Sequence, residues 1–353
     1  MGFQQFKSTL PGLIPLIILI LAEWLWGMVV GLWLAVAYGL GEMAYYGIRY
    51  HCFEKRTFYD TGLLVGLGLF AVIIDGPMLD RLRPIIYLSI MLLMVGISAF
   101  SKHNIIMATS GKMLKNKQFG PWEMEQVKMT MVHLFWWMIL YWVILLVALV
   151  MPEQISTFFN GTGLYIFIAL IMVYELIFKT VSNKRWSKEE WLPLVNKDGK
   201  IIGNAPRSEV HNGKSRWLHP VVHIQLLQHN GLWLQKRPTH KLVQPGKWDT
   251  AVGGHINAGE TVQQALKREA AEEIGVEINE LQHLGRYHWK TELENELVFT
   301  FLLKHENEIN PNPQELDGGR FWSFEEIEND LGKEIFTQNF EYEYKLYKHI
   351  LKQ

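Results

Sequence analysis

The chain has 353 residues, which is enough for two domains of ordinary size, and a formal net charge of −1. No overall basic excess marks a surface for nucleic acid, so we expect no nucleic-acid partner. Cys52 is the only cysteine, which excludes an intrachain disulfide and a cysteine-based zinc cluster. The small net charge averages two unlike halves, because long apolar runs precede about Lys179 and dense mixed charge follows it.

The first half carries six apolar runs, at 11–22, 28–47, 61–74, 85–100, 132–151 and 158–178. Crossing a bilayer takes roughly 20 residues, and the second, fifth and sixth runs are that long. The shorter runs could be half-helices, spans of thinned membrane or re-entrant segments. We therefore predict an all-α, multi-span membrane bundle of about six helices over 1–180, a linker over 181–190 and a soluble domain over 191–353.

Two segments of this half, LIPLIILILAEWLWG and DGPMLDRLRPIIYLSIMLLMVGIS, resemble the intracellular septation protein A family of bacterial inner-membrane proteins. The resemblance implies a multi-span bundle and brings no catalytic motif. With six crossings, the basic connections all lie on one side of the membrane: Lys55 and Arg56; Lys102, Lys112, Lys115, Lys117 and Lys128; and Lys179, Lys184 and Arg185. The positive-inside rule then predicts a multi-pass protein of the inner (cytoplasmic) membrane with both termini in the cytoplasm. The lipid bilayer is one expected partner, and further membrane-protein partners stay open.

The second half reads as a soluble α/β domain. Asp198-Gly199 separates the short runs WLPLV and KIIG. Asn230-Gly231 separates VVHIQLLQ from LWLQKR, which predicts a hairpin. The remaining predicted elements are a helix after Gly259, strands near 283–290 and 296–303, a short helix capped by Ser323 and Glu326, and a final amphipathic helix through Phe336, Phe340, Tyr347 and Leu351.

The helix after Gly259 carries an unusual cluster of acids. Thr261 and Gln264 form a capping box at its start, and Gly275 ends it. At 100° per residue, Glu269 and Glu273 continue the face that Val262, Ala265 and Leu266 turn inward, and Glu272 lies at its border. Three carboxylates near a helix C-terminus are disfavoured by the macrodipole and by mutual repulsion. A bound Mg²⁺ or Mn²⁺ would reverse both effects, so the pattern predicts a metal site.

Residues 254–276, GHINAGETVQQALKREAAEEIGV, follow one spacing pattern throughout. It runs Gly254, five residues, Glu260, seven residues, Arg268, Glu269, an apolar residue, any residue, Glu272, Glu273, any residue, Gly275 and an apolar residue. This pattern resembles the box of the Nudix hydrolase superfamily without a departure. The resemblance implies an α/β/α sandwich with a mixed sheet, metal binding by Glu269, Glu272 and Glu273, and hydrolysis of a diphosphate-containing small molecule. It also implies that Arg268 holds the acid cluster in place. Gly253, Gly254 and Glu260 belong to the segment expected to pass close to the bound phosphates and metal.

Within that superfamily, the segment LQKRPTHKLVQPGKWDTAVGGH is similar to the branch that contains isopentenyl-diphosphate isomerase. This resemblance implies further metal ligands at His219, His255, Glu294 and Glu296, with Glu296 also counted among the catalytic residues. His211 stays open as a ligand, because it lies one residue further from His219 than the isomerases lead us to expect.

Gly253 decides between the two activities that the resemblance offers. The isomerases carry a catalytic cysteine at this position, and without a thiol the proton transfer of isomerisation loses one of its acid/base partners. We therefore expect a membrane-anchored hydrolase that cleaves a nucleoside diphosphate derivative or an isoprenoid-type diphosphate by metal-activated water. The alternatives are an isomerase-like enzyme and a ligand-sensing module that regulates the membrane half.

Overall fold

The computed structural model describes residues 22, 25–26, 28–50, 77–101, 119–241 and 243–353. The chain divides into two compact units, Met1–Gln118 with Met124–Val181, and Phe119–Glu123 with Ser182–Gln353. The described helices that lie wholly or mostly in the first unit are α1 (Met28–Tyr50), α2 (Pro77–Phe100), α3 (Pro121–Leu149), α4 (Glu153–Asn160) and α5 (Thr162–Trp186). The last of these helices continues into the segment 181–190, which was predicted as a linker.

Three helices among the described residues are long and apolar enough to cross a membrane, namely Arg81–Phe100 within α2, Pro121–Leu149 and Thr162–Trp186. Helices α2 and α3 pack through two apolar clusters, one centred on Ile85, Tyr141 and Leu145 and the other on Leu92, Val95 and Met138. Apart from Ala22, the predicted runs 11–22 and 61–74 lie outside the described residues. The arrangement of about six spans therefore stays a prediction.

The second unit begins with an antiparallel hairpin of β1 (Trp191–Val195) and β2 (Ile201–Pro206), followed by the short helix α6 (Arg207–Val210). Asp198-Gly199 lies between these two strands, in agreement with its place between the runs WLPLV and KIIG. Gly199 has a φ of +82°, in the left-handed region that glycine adopts without steric cost.

A seven-stranded sheet forms the centre of this unit. Its strands are β3 (His219–Gln228), β4 (Gly231–Lys236), β5 (Trp248–Asp249), β6 (Val252–His255), β7 (Gln282–Lys290), β8 (Asn295–Lys304) and β9 (Gly319–Ser323). Strand β3 pairs in parallel with β8 and antiparallel with β4 and β6, so the predicted mixed sheet is confirmed. In the β3–β4 hairpin Gln228 pairs directly with Gly231, so the turn consists of His229 and Asn230. It lies one residue earlier than the predicted turn at Asn230-Gly231.

Helices cover both faces of the sheet: α7 (Val262–Ile274), α8 (Phe324–Asp330) and α9 (Gln338–Leu351). Side chains alternate along β3, so Val222 and Ile224 pack in the core that includes α7, while Val221 packs in the core that includes α9. Phe336 lies before α9 rather than within it, and bridges to Trp248. Alternate side chains of β3 therefore pack against α7 on one face of the sheet and against α9 on the other.

Candidate active site

Helix α7 carries the acid cluster and forms as predicted. Thr261 and Gln264 make the reciprocal hydrogen bonds of a capping box, and Gly275 ends the helix in the left-handed conformation with a φ of 67°. The apolar face of α7 is buried. This burial turns Glu269 toward the sheet, with a side chain only 13% exposed, whereas the Glu272 side chain is 56% exposed.

The backbone of β6 lies directly against these acids. A Cβ atom added to Gly254 would lie 2.0 Å from Cδ of Glu269, so only glycine leaves room for that carboxylate. The backbone N–H of Gly253 donates to Oε2 of Glu273 at 3.1 Å. Strand β6 and helix α7 therefore hold two of the predicted metal ligands side by side.

Arg268 joins the acids of this segment into one network. Its guanidinium donates to Glu260 at 2.9 Å, to Glu269 at 2.7 Å and to the backbone oxygen of His255 at 3.0 Å. Arg268 also donates to Glu272, one turn further along the helix, at 3.3 Å. Glu260 forms an ion pair with Arg268 and, unlike Glu269 and Glu272, does not line the cavity at this site. The structure therefore places Glu260 where it holds Arg268 rather than where it would contact a ligand.

The electrostatics of this cluster fit a bound cation. Burial raises the pKa of Glu273 to about 8, with a further contribution from the negative charge of Glu269. Burial also raises the pKa of Glu269, against the lowering effect of Arg268. Burial therefore makes the ionised forms of these two carboxyl groups unfavourable in free energy. A bound divalent cation would offset that free-energy penalty.

A second cluster consists of His211, His219 and His255, whose ring nitrogens lie within 4.8 Å of one another. Nε2 of His211 is 3.0 Å from Nε2 of His255, and Nε2 of His219 is 3.8 Å from Oε1 of Glu296. His211, which sequence spacing left open, is therefore part of the cluster.

This histidine cluster has the protonation that metal ligands need. Burial lowers the pKa of all three rings, and that of His219 to about 4. Nδ1 of His219 is 3.1 Å from the backbone oxygen of Trp217, which fixes it as the N–H donor and leaves Nε2 with a lone pair. That Nε2 atom is buried and has no hydrogen-bond partner among the described residues, as expected of a ligand atom.

Strand pairing explains how these residues meet. In the parallel β3–β8 ladder His219 lies opposite Glu296, and in the β3–β6 ladder Val221 lies opposite His255. Glu294 precedes β8, accepts a hydrogen bond from Nε1 of Trp289 at 3.1 Å and lines the same pocket as Glu296. Burial and the charge of Glu294 both raise the pKa of Glu296.

These groups surround one cavity of about 960 Å³. Its lining includes Gly253, Gly254 and the predicted ligands His255, Glu269, Glu272, Glu273, Glu294 and Glu296, whereas His219 is buried and does not belong to the lining. Sequence reasoning did not assign roles to three lining cations, Arg207, Arg237 and Lys241, or to His223. The segment LQKRPTHK, which supplies two of those cations, was the available signal.

The sequence model of the NUDIX domain matches residues 217–340. An isopentenyl-diphosphate Delta-isomerase of Enterobacter sp. (strain 638) is 30% identical over 37% of this chain and 74% of its own length. The chain belongs to the Nudix family.

Two further relatives show both activities within the Nudix matches. A Nudix hydrolase of Deinococcus radiodurans is 37% identical over 26% of this chain and 54% of its own length. An isopentenyl-diphosphate Delta-isomerase of Mycolicibacterium vanbaalenii is 36% identical over 26% of this chain and 51% of its own length. The chain thus spans about half the length of these two relatives. The likeness of the first half to intracellular septation protein A stays a prediction.

Proposed function

We propose that the Nudix domain hydrolyses a diphosphate linkage in a nucleoside diphosphate derivative or an isoprenoid-type diphosphate. The observation that carries this proposal is the pairing, in one cavity, of the acids of α7 with the cations Arg207 and Lys241. Carboxylates alone would repel a diphosphate. Carboxylates that hold a divalent cation, together with basic side chains, would attract it.

Glu269, Glu272 and Glu273 are the residues that would hold the cation, Mg²⁺ or Mn²⁺. The cation would offset phosphate charge and lower the pKa of a bound water. A carboxylate of the site accepts a proton from the attacking water, whose oxygen bonds to phosphorus while the bridging P–O bond breaks. Arg268 keeps Glu269 and Glu272 in position through its contacts at 2.7 and 3.3 Å.

The histidine cluster supports a second cation site. His211, His219 and His255 with Glu296 offer three neutral nitrogens and one oxygen. Nitrogen ligands favour Mn²⁺ or Zn²⁺ over Mg²⁺, which prefers oxygen. We therefore propose that this site, if loaded, takes a transition metal.

The histidine cluster and the two isomerase relatives favour isopentenyl-diphosphate isomerisation as a second candidate. Gly253 counts against it, because glycine supplies no thiol at this position of the cavity. Hydrolysis needs no thiol. Hydrolysis is therefore the better-supported activity.

The test is a panel of diphosphates given to the full chain in detergent with Mg²⁺ or Mn²⁺. The panel would contain ADP-ribose, nucleoside diphosphate sugars, isopentenyl diphosphate and geranyl diphosphate. We expect release of monophosphate or phosphate from at least one compound, lost in Glu273→Gln and kept in the matched exposed variant Glu277→Gln. A rearranged carbon skeleton without phosphate release would support the isomerase, and binding without turnover would support a ligand sensor.

We further propose that the apolar helices anchor the chain in the inner membrane with the Nudix domain facing the cytoplasm. The three apolar helices and the basic connections support this orientation. Alkaline carbonate should fail to extract the chain from membranes. Protease should cleave the Nudix domain in inverted vesicles but not in intact spheroplasts, and the opposite pattern would refute the orientation.

A further inference from the structure

A buried histidine–glutamate pair joins the central sheet to the last helix of the Nudix domain. Nδ1 of His223 on β3 is 2.6 Å from Oε2 of Glu343 on α9, and Glu343 is fully buried. The hydroxyl of Tyr287 lies 2.9 Å from the same carboxylate oxygen and 2.6 Å from Oδ1 of Asn339. These contacts fix the His223 ring, with Nδ1–H donating to Glu343.

The other edge of the ring reaches the cavity. His223 lies opposite Gly253 in the β3–β6 ladder, and both residues line the cavity. A Cβ atom on Gly253 would lie 3.5 Å from Nε2 of His223, so the missing side chain leaves the space beside that nitrogen open. Glu273 accepts a hydrogen bond from the backbone N–H of Gly253 at 3.1 Å and lines the same cavity, so the ring and this acid both adjoin Gly253.

The surroundings also determine the charge of the ring. Burial lowers the pKa of His223. The charge of Glu343 and its hydrogen bond to the ring raise the pKa by more than burial lowers it, so the net result is a pKa of about 9. At neutral pH the ring is therefore an imidazolium, whose Nε2–H is a donor on the cavity side. The ring is therefore a cation in a cavity that Asp249 and Glu296 also line.

We propose that His223 binds the diphosphate through Nε2–H and protonates the leaving phosphate, and that Glu343 is its positioning residue. This inference rests on the proposed hydrolysis. Water bonds to one phosphorus and gives its proton to a carboxylate of the acid cluster. The bridging P–O bond breaks with its electron pair on the leaving oxygen, which takes the proton from Nε2. Solvent then reprotonates the ring.

The His223–Glu343 hydrogen bond could also serve folding alone. Two substitutions at His223 distinguish this structural role from proton donation at the cavity. His223→Asn can keep an amide donor toward Glu343 but removes the group at the cavity. His223→Gln can keep a neutral donor at the cavity. We expect His223→Asn to lower kcat about 100-fold, in the range for loss of a general acid, with a melting temperature close to that of the wild type. We expect His223→Gln to retain more activity than His223→Asn.

Glu343→Gln tests the positioning role. It keeps an oxygen acceptor for Nδ1–H and removes the negative charge, so we expect kcat to fall about 10-fold with KM nearly unchanged. A purely structural pair would lower the melting temperature and leave kcat per folded molecule intact.

Binding of methylenediphosphonate, a diphosphate that cannot be hydrolysed, gives a readout independent of turnover. Isothermal titration on the full chain in detergent should show weaker binding in His223→Asn than in the wild type. Wild-type kcat and wild-type affinity in His223→Asn would overturn the inference. If the wild type hydrolyses nothing but binds the probe more tightly than His223→Asn, the proposed hydrolysis and the proton transfer fail, while the binding role holds.

Discussion

Alanine in place of Gly254 would put a methyl group where the Glu269 side chain now lies. The new Cβ would be 2.0 Å from Cδ and 2.2 Å from Oε1 of Glu269, where ordinary contact begins at 3.4 Å. The carboxylate must therefore shift by about 1.4 Å. It ends a flexible side chain, so we expect the domain to stay folded while a proposed metal ligand is displaced.

Displacing the Glu269 carboxylate should lower the catalytic rate strongly and change the free energy of unfolding little. A misplacement of about 1 Å can cost about 100-fold in rate, which corresponds to about 2.7 kcal/mol of transition-state stabilisation. We expect kcat/KM of Gly254→Ala to fall by about that factor and the affinity for Mn²⁺ to weaken. The assay is steady-state kinetics on the diphosphate that the panel identifies, with Mn²⁺ binding followed by the metal-induced rise in melting temperature.

Gly253→Ala is the matched control for metal binding. Its Cβ would meet its nearest neighbour, His223, at an ordinary 3.5 Å, so the metal-induced rise in melting temperature should be kept. Wild-type Mn²⁺ affinity and turnover in Gly254→Ala would refute the assignment of Glu269 as a ligand. An unfolded Gly254→Ala protein would refute the argument that the side chain gives way.

Three further predictions concern the metal sites. Glu273→Gln should reduce turnover at least about 100-fold. In EDTA at pH 8 its melting temperature should be no lower than that of the wild type, because the substitution removes a buried charge. A clearly lower melting temperature would contradict this account. The folded-state pKa of Glu273 is raised from 4.5 to about 8, so its contribution to stability is complete below about pH 4.5 and is lost as the pH rises toward 8. The rise in melting temperature on adding Mn²⁺ should therefore be larger at pH 8 than at pH 5, and equal rises would count against a metal at this acid. His219→Gln should lower the Mn²⁺ bound per chain, measured by elemental analysis, while leaving the Mg²⁺ response of the acid cluster, and an unchanged content would remove the histidine site.

Local signals were sufficient for helix α7. The capping box of Thr261 and Gln264 and the C-terminal Gly275 both form as the sequence predicts, because each acts within one turn of the residues it caps. The inward direction of Glu269 and Glu273 follows from the same helical period. The β3–β4 hairpin shows the limit of such signals. Its turn is shifted by one residue, with His229 at a φ of 50°.

Long-range pairing was beyond reach of the sequence alone. His223 and Glu343 are 120 residues apart, and no periodicity links them. His211 was left open because only its spacing from His219 could be judged, whereas the fold brings its ring within 3.0 Å of His255. The steric role of Gly254 was likewise hidden, because it depends on where α7 packs against β6.

The sequence by itself determined the Nudix box, the helix that carries it and the inward direction of its acids, because capping, periodicity and motif spacing are local properties of the chain. Only the tertiary structure decided which histidines gather beside Glu296, that Glu260 supports Arg268, and that His223 reaches the cavity at Gly253. The physical reason is that strand register and helix packing set distances between residues far apart in sequence, and it is these distances that determine burial, charge and ligand geometry.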